Sequence, residues 1–206
     1  YLNLFYSEPE YTGYYWSAMT EPVSMERNFN QTYHDGPAFF TNNDRLVYVT
    51  KTLPVKGKKG SGNLRTYLLR IFLAEIIPGK KLDFQPFFLN SRDYSVAHPT
   101  LTKIGDKIYF SSDMPGGFGG ADLYVCEKEN GQWGEPQNLG EKINTFEDEV
   151  FPFILNDSVL FFSSKGHMGY GGLDIFKSEL HKSVCGEPLN LKHPVNSSYD
   201  DFSIVL

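Results

Sequence analysis

The chain has 206 residues, of which 40% are apolar and 16% aromatic, too hydrophobic for a disordered chain and enough for one ordinary domain or two small ones. Its net charge of −6 argues against nucleic acid as the main partner, and no apolar run is long enough to provide a membrane-spanning helix. Two cysteines, Cys126 and Cys185, form no C-x-x-C motif and decide neither metal binding nor redox compartment.

Taken from the N-terminus, Leu2–Ser7, Tyr14–Ala18 and Glu21–Met25 read as the last three strands of a four-stranded sheet, so residues 1–33 are expected to be a sheet remnant. The chain opens at Tyr1 without Met or a signal-like segment and is expected to be a trimmed fragment or a processed product. A first full unit follows over residues 34–95. Its Lys/Gly-rich stretch Val55–Asn63 suits a flexible surface loop. Leu64–Ile77 has helical propensity, but its place in the repeat described next makes it a long strand. Units 96–148 and 149–201 come next, and Pro37, Pro99 and Pro152 each open a strand-like run. In the third unit the expected strands are Phe151–Leu155, Val159–Ser163, Leu173–Ser178 and Glu187–Leu191, with Asn156-Asp157 turning the first hairpin. Phe202–Leu206 reads as one more first strand.

An internal repeat supports this division. Residues 111–148 align on 163–200 with 14 of 38 positions identical, among them Ser111/Ser163, Gly117/Gly169, Gly119/Gly171, Gly120/Gly172 and Asp122/Asp174. Asn138-Leu139 matches Asn190-Leu191, and Asn144 and Asp148 match Asn196 and Asp200. Short antiparallel strands repeating at this spacing are the pattern of β-propeller blades, in which each four-stranded sheet hides its faces against its neighbours. The fold expected is all-β, with about four blades' worth of chain. Phe202–Leu206 either pairs with the 1–33 remnant to close a ring of four, or the chain belongs to a larger ring of five or six blades; four is near the lower limit for a ring, which favours the larger one.

The segments Phe110 to Tyr124 (FSSDMPGGFGGADLY) and Phe162 to Phe176 (FSSKGHMGYGGLDIF), with the tails Trp133–Leu139 and Ile143–Pro152, resemble the TolB-type, WD40-like propeller repeat of Bacteroidetes envelope proteins. They are most similar to the propellers of periplasmic OmpA-family lipoproteins of the type IX secretion and gliding machinery. The likeness covers residues 96–201 well; residues 1–95 lack the Gly-Gly-x-Asp signature. The resemblance implies a non-enzymatic scaffold in the periplasm, associated with the outer membrane, whose partners are other envelope or secretion proteins. It implies contact with peptidoglycan only through a domain outside these residues.

Searches for chemistry point the same way. G-x-S-x-G, H-E-x-x-H and paired C-x-x-C are absent, so no catalytic residue, cofactor site or metal site is assigned. In the Gly-rich loops, Gly117, Gly119, Gly120 and Asp122, with Gly169, Gly171, Gly172 and Asp174, are expected to form structural turns in which the Asp accepts backbone N–H bonds. The acidic run Glu147-Asp148-Glu149 could serve a glycosidase, and a carbohydrate-binding or glycoside-hydrolysing propeller working through its central funnel is the alternative function. Its repeat-equivalent placement weighs against catalysis. In an up-and-down blade the loop between strands two and three lies at the same end as the link to the next blade. Those are the elaborated segments here, so a partner-binding face is expected there, built from Asp113, Phe118, Glu147, Asp148, Glu149, His167 and Tyr170.

Overall fold

The computed structural model describes residues 5–7, 9–12, 15–24, 35–41, 45–55, 66–181 and 184–204, and every described element is a strand or a turn. Most of the Val55–Asn63 loop and the Asn42–Asp44 turn lie outside the described residues. The N-terminal strands are β1 (Phe5–Tyr6), β2 (Pro9–Thr12), β3 (Tyr15–Met19) and β4 (Val23–Ser24). The first blade holds β5 (Asp35–Phe40), β6 (Leu46–Val55), β7 (Thr66–Glu75) and β8 (Gln85–Pro86). The second holds β9 (Val96–Leu101), β10 (Lys107–Ser112), β11 (Asp122–Glu129), β12 (Gln132–Trp133) and β13 (Gln137–Asn138). The third repeats it with β14 (Glu149–Leu155), β15 (Val159–Ser164), β16 (Asp174–His181), β17 (Val184–Cys185) and β18 (Leu189–Asn190).

Each blade is an antiparallel meander; β12 and β17 are short additions on the far ends of β11 and β16. The ambiguous segment is a strand because β6 pairs with it over ten residues, from Leu46↔Glu75 to Val55↔Thr66. The turn at Asn156-Asp157 has positive φ at both residues (49° and 56°), the geometry of a type I′ hairpin, and these are residue types that adopt it cheaply.

Strand alternation sends successive side chains to opposite faces. From β10, Ile108 and Phe110 join Tyr48, Ile71, Tyr124 and Cys126 in a core between the first and second blades. Tyr109 turns the other way and joins Leu123, Leu160, Phe162 and Phe176 in a core between the second and third. Blade-on-blade packing is thus the core of the molecule.

The first strand of every blade carries a β-bulge at the same place. Gly36-Pro37, His98-Pro99 and Phe151-Pro152 each place two residues opposite one, namely Thr50, Phe110 and Phe162. The strands β9 and β14 pair on one side only, which leaves an open edge. The preceding blade caps it: His98 N–H donates to Thr50 Oγ1 (2.8 Å), Phe151 N–H to His98 Nδ1 (3.4 Å) and Ile154 N–H to Thr100 Oγ1 (3.3 Å).

Two expectations are corrected. Residues 1–33 were expected to run as a three-strand meander; instead β1 pairs with β4 and encloses the β2–β3 hairpin. Residues 202–204, expected to begin a first strand, form no ladder. A strand exists as such only when paired with a neighbour, and none among the described residues pairs with this one. Ser203 nonetheless repeats the left-handed backbone (φ 65°) of His98 and Phe151, the equivalent positions one and two blades earlier.

Candidate functional site

At one end of the blades, the Gly-rich loops are fastened to the inter-blade links. Phe118 N–H donates to Asp122 Oδ2 (2.6 Å), and so does Asn138 Nδ2–H (2.8 Å). In the next blade Tyr170 and Gly171 N–H donate to Asp174 Oδ2 (2.7 and 3.1 Å). Both aspartates are buried, so these bonds are shielded from water. The loop is then joined to the link that follows its blade. Gly120 N–H donates to the Glu147 carbonyl (2.9 Å), Ala121 N–H to Asp148 Oδ1 (2.9 Å) and Glu149 N–H to the Ala121 carbonyl (2.6 Å). The copy is Leu173 N–H to Asp200 Oδ1 (2.9 Å) and Asp201 N–H to the Leu173 carbonyl (2.7 Å).

Close approach explains the glycines. A Cβ on Gly119 would collide with the Phe146 backbone, and one on Gly171 with the Tyr199 carbonyl. A Cβ on Gly120 or Gly172 would meet Asp148 or Asp200, and one on Gly117 or Gly169 would meet Asp122 or Asp174. Gly119→Ala and Gly171→Ala are each expected to cost about 2–3 kcal/mol, because backbone cannot move aside as a side-chain tip can. Gly116→Ala should cost only about 1 kcal/mol: it meets open space and suffers only from its φ of 98°. Urea midpoints of the three variants check this order.

Asn144 and Asn196 complete the lock. Asn144 Oδ1 accepts Leu123 N–H (2.7 Å), while its Nδ2 donates to the Leu123 carbonyl (3.0 Å) and to Asn138 Oδ1 (2.8 Å). Asn196 makes the same three bonds to Ile175 and Asn190. Sequence reasoning aligned both residues but gave them no role; their identity across the repeat was the available signal.

The candidate face divides into outward and inward groups. Asp113 is exposed while its Oδ1 accepts Ser95 N–H (2.6 Å). Glu147 reaches Lys165 Nζ (3.1 Å), and that carboxylate holds the ammonium above its usual range. Phe118 and Tyr170 stand out at 52% and 57% exposure, on repeat-equivalent positions. Beside them Phe146, Met168 and Tyr199 are exposed at 75%, 96% and 79%, three residues the sequence reading did not single out. Asp148 is half-buried and engaged with Ala121. His167 is half-buried too, its Nε2 lying 2.9 Å from the Ile143 carbonyl and its ring against Phe162 and Phe176.

Glu149 requires a correction: it is fully buried and cannot touch a partner. Its carboxylate accepts Thr145 N–H (2.7 Å), Thr145 Oγ1–H (2.8 Å) and Ser164 Oγ–H (2.6 Å). The three consecutive acids sit where the link becomes β14, and only the third faces inward.

Cys126 and Cys185 are both free and buried, in different inter-blade cores. Burial pushes their thiols up, to about 12 and about 11, which leaves them protonated and unreactive. No group of three His, Cys, Asp or Glu residues able to hold a metal ion occurs among the described residues.

No family model matches the sequence, and no curated protein matches it. Among solved structures, the crystal structure of TolB from Acinetobacter baumannii is similar, at 12% identity and a TM-score of 0.47. The match covers 81% of this chain, which spans about a third (34%) of that one.

Proposed function

We propose that the chain is a non-catalytic propeller module that docks a protein partner on the end carrying the Gly-rich loops. One observation carries the reading: exposed aromatic and Met side chains stand on loops whose backbones are locked by buried carboxylates and amides. Large apolar groups held rigidly in water lose little entropy when a partner covers them, which is what an interface anchor needs. The cavity between the first strands of the three blades supports the same reading against a glycosidase, since no carboxylate among the described residues lines it. Following the sequence resemblance, the partner is placed among envelope or secretion proteins, with the chain in the periplasm at the outer membrane as part of a type IX secretion scaffold.

The test is a quantitative pull-down from envelope extract. Phe118→Ala with Tyr170→Ala should reduce recovery of the partner about tenfold or more while leaving the melting temperature unchanged. Ile104→Ala, at a still more exposed residue at the opposite end, should leave recovery intact. Equal recovery by both variants would remove the docking face.

A further inference from the structure

A cavity of about 280 Å3 lies between the first strands of the three blades. Its wall draws on all three bulges, through Pro37, His98-Pro99 and Phe151-Pro152. Each proline presents a ring and no N–H. Aromatic residues such as Phe39 and Phe153 extend the apolar surface, and among the described residues no charged side chain lines it.

The frame is constant, but the residue ahead of the proline is not. Gly36 fills that position in the first blade without left-handed backbone. His98 and Phe151 instead hold left-handed backbone (φ 57° and 52°), which bulky side chains adopt only under strain. Both side chains line one cavity, so their identities set what it presents.

What His98 presents can be worked out. Its ring stacks on Phe151 (centroids 3.9 Å apart), and Phe151 stacks on Phe202 (5.1 Å). Its Nδ1 accepts Phe151 N–H and has Ser111 Oγ at 3.0 Å. An accepting Nδ1 in a neutral imidazole leaves the proton on Nε2. That N–H has no partner among the described residues, in a side chain only 9% exposed. Nε2 is not one of the sealed polar atoms left without a partner, so it opens to solvent, and a ligand bringing an acceptor takes the place of water there.

The geometry points to a binding site for a small, uncharged ring compound that packs on the proline and phenylalanine rings and offers one hydrogen-bond acceptor to His98 Nε2. At ~30 Å3 per water-sized group, the cavity takes about nine non-hydrogen atoms. A charged ligand would find no counter-charge. This goes beyond the docking reading and is independent of it, because none of the elaborated loops' exposed aromatics lines the cavity.

Three probes of about nine non-hydrogen atoms each separate the terms: acetophenone is neutral with one carbonyl, isopropylbenzene lacks the acceptor, and benzoate is an anion. Each is titrated into the full chain carrying 15N-labelled histidine. Acetophenone should saturate in the millimolar range or tighter and move the His98 Nε2 resonance. Benzoate should bind at least tenfold more weakly. His98→Phe, which installs the residue the next blade holds in the same slot, should weaken acetophenone about tenfold and leave isopropylbenzene unchanged. Absence of saturable acetophenone binding, benzoate binding equally well, or an unmoved His98 signal would each overturn the assignment. Should His98→Phe fail to fold, the resonance in the unaltered chain and the benzoate comparison decide it.

Discussion

Replacing Glu149 by alanine is expected to destabilise the chain by about 3–5 kcal/mol, although Glu149 lies in the most acidic stretch of the sequence. The carboxylate is wholly buried and accepts three hydrogen bonds, from Thr145 N–H, Thr145 Oγ1–H and Ser164 Oγ–H. Truncation leaves the backbone donor and the Ser164 hydroxyl unpaired inside the second-to-third blade junction, and it opens a void besides. Glu149→Gln keeps the shape but puts an NH2 where one oxygen accepted, and should cost about 1–3 kcal/mol. Asp201, the equivalent one blade on, accepts only from Ser197 and is partly exposed, so Asp201→Ala should cost less than Glu149→Ala. Urea unfolding at pH 7, followed by tryptophan fluorescence, measures all three. A Glu149→Ala midpoint close to that of the parent chain would mean that the acid belongs to the solvated rim after all.

This is also where sequence reading stopped short. Glu147, Asp148 and Glu149 look alike as a run of charge, yet they point to a lysine, a loop amide and the interior. Which one turns inward depends on where β14 starts, and no composition reports that. The repeat, by contrast, was legible because the lock is made from residue types with few substitutes. Close backbone approach demands glycine, a turn amide demands a short acid, and Asn144 and Asn196 must donate and accept at once. Leu64–Ile77 was readable as a strand only by alignment, since its propensity is helical and its pairing with β6 is non-local. The N-terminal residues carry no such signature, and their nested pairing was not foreseen. The spacing of Pro37, Pro99 and Pro152 announced the first strands. That the preceding residue bulges, and that three bulges meet at one cavity, follows only once the blades stand side by side.

Acidification from pH 7 to pH 5 is expected to cost the chain about 2 kcal/mol through His98 alone, with roughly 4–5 kcal/mol lost by pH 3. Burial holds the His98 imidazole down at about 3, against an ordinary value of 6.5. Between those values the unfolded chain binds a proton that the folded chain refuses, so falling pH favours unfolding. The contribution is complete above pH 6.5 and drains away as the pH falls toward 3. No acid is responsible for the shift; the ring sits against Ser111 and the stacked Phe151, which offer no counter-charge. Carboxylates begin to titrate lower, near pH 4, so the interval from pH 7 to pH 5 isolates histidine. Urea-derived stabilities at pH 7, 6 and 5 should therefore fall steeply for the parent chain and stay nearly flat for His98→Phe; parallel slopes would show that His98 protonates freely when folded. A protonated ring has no lone pair left for Phe151 N–H and carries a charge against three proline-bearing strands, so the neutral form is the one that the axial stack requires.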